Sequence, residues 1–363
     1  SFEYGSDEHK ALSVYSAGPL GGDFSHSFQF YARDRNGFIN NTWKGQHTDY
    51  RSVVGGLGTI VWTPRDDVEI KLRFAAESVE DGSQRLSALS SSPNPFTAAG
   101  KPFRVRSNVR GKNELDRYQL SLHGRKDFDW GTLKSITSFQ SWDLGPQETD
   151  LDLSPSQFPF SEANSLINQD SDLWTQEFRI ESPEGAGPLS WRGGLFYSNQ
   201  EDSGDAARVF PAFTQFGAFE IEETTDFDID RETFAFFGSG SYAFDNGITL
   251  EAGARLEWVD VELDRSKDSV VNGFPSPGAP DLSDRSDEFY FSPTGGLYYD
   301  INDTTSVFAR TGLGIKPHGY TAFSDDPDTA AFDEETNWSN EIGIHYNCQD
   351  SAFNLVVRAF WNQ

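Results

Sequence analysis

Several features that would place this 363-residue sequence in a simple class of protein are missing or scarce. A single Cys excludes a disulfide framework, and six scattered His residues do not have the spacing of a zinc site. Met is absent, and no apolar run approaches the roughly 18 residues of a membrane-spanning helix. Basic residues number 29 against 57 acidic ones, and the net charge of −28 argues against a nucleic-acid partner.

The sequence begins with Ser and shows no signal-peptide pattern, so we interpret it as a piece of a longer protein. What it does contain is an apolar side chain at every second position of many segments. The clearest examples are residues 68–77, 173–181, 248–258 and 353–361. Successive side chains of a strand point to opposite sides, so each segment has an apolar and a charged face. Segments with a helical period are missing, and we predict an all-β protein.

Three features favour a membrane barrel over a soluble sandwich. The apolar faces run for about ten residues, which is the length of a membrane-crossing strand. Charged side chains occupy the opposite face, where a sandwich core could not bury them without partners. Many apolar faces end in aromatic rings, which suit the two bilayer interfaces. These rings are Trp62, Trp258, Tyr299, Trp338, Tyr346 and Trp361.

We count about fifteen strands, whose connections alternate between short and long. Short connections such as 245–247 hold turn residues, whereas the long ones are residues 34–49, 79–113, 144–172, 201–230, 263–287 and 317–336. Alternation puts all long connections on one rim, as in outer-membrane barrels with short periplasmic turns and long extracellular loops. The sequence therefore predicts an antiparallel transmembrane β-barrel.

Most of the negative charge lies in three of the long connections. Residues 144–172, 201–230 and 317–336 together carry −20 of the net −28. Acidic loops of this kind can simply keep the surface solvated, or they can act on cations at the cell surface. The connection 79–113 is instead basic, and two roles stay open for it: facing anionic groups such as lipopolysaccharide phosphates, or balancing its acidic neighbours. Its cations are Arg104, Arg106, Arg110 and Lys112.

Six blocks, in the expected order, resemble TonB-dependent outer-membrane receptors. TQEFRIESP at 175–183 with LSWRGGLFY at 189–197 resembles a mid-barrel hairpin of that family, and FGS at 237–239 with LEAGAR at 250–255 resembles the next one. SVFARTGLGIKP at 306–317 and ETNWSNEIG at 335–343 are similar to late-barrel signatures. RDRNGF at 33–38 and WTPRDD at 62–67 fit the early barrel. The likeness covers nearly the whole chain.

The resemblance implies a fold and a function. Family members have about 22 strands around a plug, so residues 1–363 would be a partial barrel domain with about 15 of those strands and without the plug or the last strands. The implied activity is energy-coupled uptake of a scarce nutrient, most often a ferric siderophore, across the cell outer membrane of a Gram-negative bacterium. The implied partners are outer-membrane lipid, lipopolysaccharide, the ferric siderophore or a similar small ligand, and the TonB energy-coupling complex, which acts through the missing plug.

Two groups of residues are candidates for the functional site. The charged faces of the strands should look into the barrel lumen, where they would line the substrate path or contact the plug, or only pair with each other across strands. These are Lys71, Arg73, Glu177, Arg179, Arg192, Glu251, Arg255, Arg310, Glu341, His345 and Arg358. Aromatic residues of the extracellular loops could contact a ligand, or only pack the loops together. These are Phe210, Phe213, Phe216, Phe219, Tyr320 and Phe323.

Other chemistry has weaker support. Asp226, Asp228 and Asp230 have the spacing of a calcium loop, but Arg231 stands where such a loop needs Gly and Phe237 where it needs Glu. No arrangement of residues indicates catalysis, so we expect neither an enzyme nor a bound cofactor or metal. Two alternatives remain: a passive porin-like channel, and a soluble secreted β-rich protein that binds or hydrolyses carbohydrate.

Overall fold

The chain forms an almost continuous series of antiparallel hairpins in a computed structural model. The structure describes residues 1–82, 102–151, 155, 163–185, 187–215, 217–324, 326–347 and 353–363. Its strands are β1 (Phe2–Tyr4), β2 (Lys10–Gly21), β3 (Phe24–Arg35), β4 (Asn40–Asn41), β5 (Gln46–His47), β6 (Arg51–Arg65), β7 (Val68–Asp81), β8 (Arg104–Val105), β9 (Asn113–Phe128), β10 (Gly131–Asp150), β11 (Asn164–Glu181), β12 (Leu189–Thr214), β13 (Gly217–Ala243), β14 (Ile248–Val271), β15 (Phe274–Ser276), β16 (Leu282–Asn302), β17 (Thr305–Lys316), β18 (Gly319–Tyr320), β19 (Ala331–Phe332), β20 (Glu335–Asn347) and β21 (Asn354–Asn362). One short 3₁₀ helix covers Pro327–Thr329.

One 16-stranded sheet makes up the barrel wall. Fifteen of its strands follow the order β1-β2-β3-β6-β7-β9-β10-β11-β12-β13-β14-β16-β17-β20-β21, and β15 pairs beside β14. Each long strand therefore pairs with the strands before and after it in the chain, which is the up-and-down pattern of a barrel. The predicted all-β fold with about fifteen antiparallel strands is confirmed.

Turn chemistry explains the tight connections on one rim. Between β13 and β14, Gly247 has a φ of +82°, a conformation that few other residues adopt cheaply. Asn246 Oδ1 accepts a hydrogen bond of 3.2 Å from the amide of Ile248. Between β16 and β17, Asn302 Oδ1 accepts one of 3.0 Å from the amide of Thr304. Such side-chain bonds satisfy the turn backbone and fix the register of each hairpin.

On the opposite rim, the structure corrects the expected bounds of the long connections. Most of the predicted loop 201–230 continues β12 and β13, which are 26 and 27 residues long. Residues 263–271 likewise continue β14, and residues 144–150 and 164–172 belong to β10 and β11. At ~3.3 Å per residue, β13 measures about 90 Å. A membrane band needs only about 10 residues of strand, so these hairpins stand far above it.

Candidate functional site

Strand register assigns every wall residue to one of two faces. We call the face of Leu120 and Leu122 the outer face, and the face of Arg73 and Glu177 the inner face. Side chains paired directly across antiparallel strands share a face. Following the pairs from β6 to β21 places all eleven predicted lumen residues on the inner face, and the six interfacial aromatics named above on the outer face.

Several inner-face charges are paired with each other. Arg179 lies 2.5 Å from Glu177 and 3.6 Å from Glu181. Arg310 is bonded to Glu341, and Arg358 lies 3.6 Å from the same carboxylate. Lys71 also pairs with Glu69 and Arg255 with Glu257, while Arg192 bonds Ser239 and His345 bonds Asn354. The inner wall is thus polar, and several of its charges are paired with each other, which suits a water-filled lumen.

A row of aromatic side chains marks a change in the polarity of the outer face. Tyr197, Phe234, Trp258 and Phe289 are paired side by side on four successive strands. Phe289 is 80% exposed, as expected for a ring that meets lipid rather than protein. On the turn side of this aromatic row, the outer face is apolar. On the long-hairpin side, it is acidic.

The acidic part of the outer face stacks carboxylates directly opposite one another. Glu201, Asp230 and Glu262 are paired across β12, β13 and β14, and Asp228 faces Asp264. We call the whole group the acidic band: Asp170, Asp172, Glu201, Asp228, Asp230, Glu232, Asp260, Glu262, Asp264 and Asp287. Desolvation, followed by repulsion from Glu201, Asp228 and Asp264, raises the pKa of Asp230. The band therefore gives the flank of the long hairpins a strong negative field.

The inner face of the same hairpins is apolar and carries a buried cluster. Val259, Val261 and Leu263 are at most 1% exposed, and Phe227 and Tyr290 join them. The residues that cover them come from the connection between β17 and β20, in which β18 pairs with β19. Tyr320 and Ala322 of this connection are buried against the cluster. We call residues 317–324 and 326–332 the folded loop, because they lie on the inner wall instead of extending from the rim.

Cations of the inner wall hold the backbone of the folded loop. Arg265, only 4% exposed, donates to the carbonyls of Ser324 and Pro280, the latter at 3.0 Å. Lys267, 8% exposed, donates at 3.5 Å to the carbonyl of Phe323. The guanidinium of Arg208 lies 5.0 Å from the centre of the Phe323 ring. Three cations therefore converge on one short stretch of loop: Arg265 and Lys267 donate to neutral carbonyl oxygens, and Arg208 lies against an aromatic ring.

Two guanidinium nitrogens at this contact are not satisfied. The Nε atoms of Arg231 and Arg265 are buried and have no hydrogen-bond partner. A Cβ placed on Gly319 would lie 3.2 Å from Nη2 of Arg231, so the absence of a side chain there lets the folded loop approach the cation. Buried donors without partners cost free energy. The Nε–H groups of Arg231 and Arg265 can therefore each still donate to an added oxygen atom.

A hydrogen-bonded network fixes the start of the folded loop. His318 is 5% exposed, and its Nδ1 lies 2.6 Å from the hydroxyl of Tyr290. That hydroxyl also accepts from the amide of His318 and donates at 3.0 Å to Glu288. His318 Nε2 lies 3.1 Å from the carbonyl oxygen of Ser286, and the Tyr320 hydroxyl donates to the Ser286 hydroxyl. The network ties the loop to β16 across 28 or more residues of sequence.

The predicted loop aromatics do not form one cluster. Tyr320 is 7% exposed, and Phe323 packs edge-on against Phe227 with ring centres 5.5 Å apart. Phe210 and Phe219 lie half-buried near the tip of the β12–β13 hairpin. Phe213 lies in β12 opposite Ala218, and Phe216 lies outside the described residues. Ligand contact through these rings stays a prediction.

Sequence reasoning missed the four inner cations Arg208, Arg231, Arg265 and Lys267. The signal was present, because Thr225, Phe227, Ile229 and Arg231 alternate with acidic residues at strand spacing. Dense negative charge made these segments resemble solvated loops.

No helix of the described residues is long and apolar enough to cross a membrane. Solved structures with the same fold include the ferric yersiniabactin uptake receptor FyuA from Yersinia pestis, with a TM-score of 0.78 and 16% identity over 98% of this chain and 52% of that chain. The siderophore receptor PiuA from Acinetobacter baumannii gives a TM-score of 0.76 and 12% identity over 99% of this chain and 56% of that one. The ferric-catecholate import receptor Fiu from E. coli K12 gives a TM-score of 0.69 and 11% identity over 99% of this chain and 57% of that one.

The chain spans about half the length of these receptors, and at such low identity the likeness shows the fold. A family model for the TonB dependent receptor-like β-barrel matches residues 42–363. The resemblance found in the sequence blocks is thereby confirmed over most of the chain. This chain belongs to the TonB-dependent receptor β-barrel family.

Proposed function

We propose that this chain is the barrel of an outer-membrane transporter that captures a negatively charged nutrient, a ferric siderophore in the first instance, and imports it with energy from the TonB complex. Lipid would surround the apolar outer face, and the plug, through which the energy complex acts, would occupy the polar lumen. FyuA, PiuA and Fiu are named for ferric or siderophore uptake, which supports this cargo class.

The observation that carries the proposal is the distribution of charge on the long hairpins. Their outer face bears the acidic band, whereas their inner face bears Arg208, Arg231, Arg265 and Lys267. Both faces belong to the same strands, so the separation follows from the alternation of side chains. A negatively charged solute is repelled by the flank and attracted by these four cations.

The folded loop gives the cations a temporary partner. Carbonyl oxygens of Phe323 and Ser324 accept bonds from Lys267 and Arg265, and carboxylate or catecholate oxygens of a cargo can replace them. The exchange releases the loop, and the cargo oxygens can also satisfy the unpartnered Nε atoms. Movement of the cargo past the inner wall then breaks and makes only non-covalent contacts.

The test is uptake by cells that express the protein at its full natural length. Radioactive iron would be supplied as its complexes with a catecholate, a hydroxamate and citrate, with and without a working TonB complex. We expect TonB-dependent uptake of at least one complex, reduced in Arg265→Gln and unchanged in Arg285→Gln, whose side chain lies on the outer face. Uptake that continues without TonB would instead indicate a passive channel.

A further inference from the structure

The network at the start of the folded loop contains more contacts than a neutral histidine can satisfy. His318 Nε2 lies 3.1 Å from the carbonyl oxygen of Ser286, and Nδ1 lies 2.6 Å from the hydroxyl of Tyr290. The same hydroxyl lies 3.0 Å from a carboxylate oxygen of Glu288 and 3.1 Å from the amide nitrogen of His318. These four contacts together fix how many protons the network must hold.

The partners determine the direction of each hydrogen bond. A carbonyl oxygen only accepts, so Nε2 of His318 carries a proton and donates to Ser286. Glu288 is exposed to water, where a carboxylate is ionised at neutral pH and also only accepts. The single hydroxyl proton of Tyr290 then points to Glu288, and Nδ1 of His318 has to donate to the phenol oxygen. All four contacts are therefore satisfied only when both ring nitrogens carry a proton.

A neutral His318 leaves one of the contacts without a proton. With Nε2 protonated, Nδ1 is an acceptor and competes with Glu288 for the one hydroxyl proton of Tyr290. Whichever acceptor loses this competition faces the phenol oxygen with no hydrogen atom between them, and two facing acceptors repel each other. The folded loop is thus held by one more hydrogen bond when His318 is protonated.

Charged groups from the neighbouring elements surround the network. Two ion pairs compensate themselves, Arg255 with Glu257 and Lys316 with Glu335. The other charged groups are Asp284 and Glu288 of β16, Glu334 before β20, and Arg231 of β13, which lies close to Gly319. The remaining titratable neighbours are the phenols of Tyr290 and Tyr320. A positive charge on His318 therefore meets more acids than cations among the described residues.

The network lies at the base of the segment that covers the inner cations. His318 directly precedes the two-stranded part of the folded loop, in which β18 pairs with β19. Farther along the same loop, the carbonyls of Phe323 and Ser324 accept from Lys267 and Arg265. Loss of a contact at His318 therefore makes it easier for the loop to leave these cations.

We propose that His318, Tyr290 and Glu288 form a proton-dependent latch, which holds the folded loop over the inner cations at acidic pH and loosens as the pH rises. The docked loop takes up a proton, and linkage makes docking strongest at low pH and weaker as the proton is lost. Histidine ordinarily changes its charge between pH 5 and 8. The inference concerns regulation of the site in the proposed function and rests on that proposal for its role in cargo capture.

The test is amide hydrogen exchange of the protein at its full natural length, in detergent, at pH ~5.5 and ~8. The amide of Thr321 donates to the carbonyl of Ala330 at 2.7 Å, and its protection factor compares the observed rate with the intrinsic rate at each pH. Loss of one hydrogen bond from a charged donor should lower this protection about tenfold or more at the higher pH. Equal protection at the two pH values would overturn the proposal.

Glu288→Gln separates the latch from a general effect of pH. The amide of the new side chain can donate to the phenol oxygen of Tyr290, so a neutral His318 then leaves no pair of facing acceptors. Protection of Thr321 should therefore stay high at both pH values. Tyr290→Phe removes the bridging hydroxyl and should give low protection at both. A Glu288→Gln protein that keeps the tenfold fall would refute the latch.

Two further variants are matched controls. His47→Gln replaces an exposed histidine of β5, and Asp230→Asn removes the carboxyl of the acidic band whose pKa is raised. Both proteins should keep the tenfold fall, which assigns it to His318. A fall that disappears in either control would count against the proposal. Iron uptake plays no part in this measurement, so failure of the latch leaves the transport proposal standing, and uptake without TonB leaves the latch standing.

Discussion

Arg265→Gln should release the folded loop from the barrel wall. The guanidinium of Arg265 donates to the carbonyls of Ser324 and Pro280, and the residue is 4% exposed. A hydrogen bond from a charged donor contributes about 1.5–3 kcal/mol. Loss of the bond to Ser324 alone should therefore lower the free energy of local opening by ~2 kcal/mol. The equilibrium constant for opening should rise about thirtyfold.

Amide hydrogen exchange reads this opening directly. The amide of Thr321 donates to the carbonyl of Ala330 at 2.7 Å inside the folded loop, and its protection should fall about thirtyfold in the variant. Arg285→Gln is the matched control, because it removes an ion pair with Asp260 from the outer face of the next strand. Its Thr321 protection should not change. Unaltered protection in a correctly folded Arg265→Gln protein would refute the idea that this cation holds the loop.

Two further predictions concern the faces of the wall. Leu120 lies on the outer face and is 50% exposed, so Leu120→Lys should lower the stability of the barrel in a bilayer by up to about 2–4 kcal/mol. The temperature at which the barrel loses its compact gel mobility should fall accordingly. The adjacent inner-face change Gln119→Lys should have little effect. Asp230→Asn should stabilise the long hairpins at pH 7 by about 1 kcal/mol, because Asp230 is paired with Glu201 and Glu262. Its pKa is raised in the folded state, so the charged form costs stability above that pKa; the cost is relieved as pH falls through it, and the advantage of Asn should shrink on acidification. Denaturation of the two proteins at pH 7 and at an acidic pH checks this prediction. An advantage of Asn that stays the same at the two pH values would contradict it.

The barrel wall was predictable because its chemistry repeats locally. Period-two alternation gives strand type and face from neighbouring residues alone, and residues such as Gly247 mark the turns. Register follows once one face is apolar, since a one-residue slip would reverse every side chain. For this reason all eleven lumen candidates, from Lys71 to Arg358, could be assigned to one face from the sequence.

The long hairpins and the folded loop were harder to predict, for a physical reason. The alternation of side chains continues in the long hairpins beyond the aromatic row. The outer face there meets water instead of lipid, so acidic residues replace leucines. The sequence of these strands therefore resembles that of a solvated loop. The contact of His318 with Tyr290 joins residues 28 apart, and no local pattern specifies it. The pairing of β4 with β8 joins Asn40 and Arg104, which lie still farther apart in the chain.

The height of the long hairpins determines how a dissolved ion can reach the interior. At physiological salt a charge is felt over only ~8 Å, a small fraction of the length of β13. An anion that diffuses beside the acidic band is therefore repelled locally by its carboxylates, at whatever height along the band it approaches. Its path to the inner-face cations lies over the tips of the long hairpins, and lower salt should extend the repulsion farther from the band.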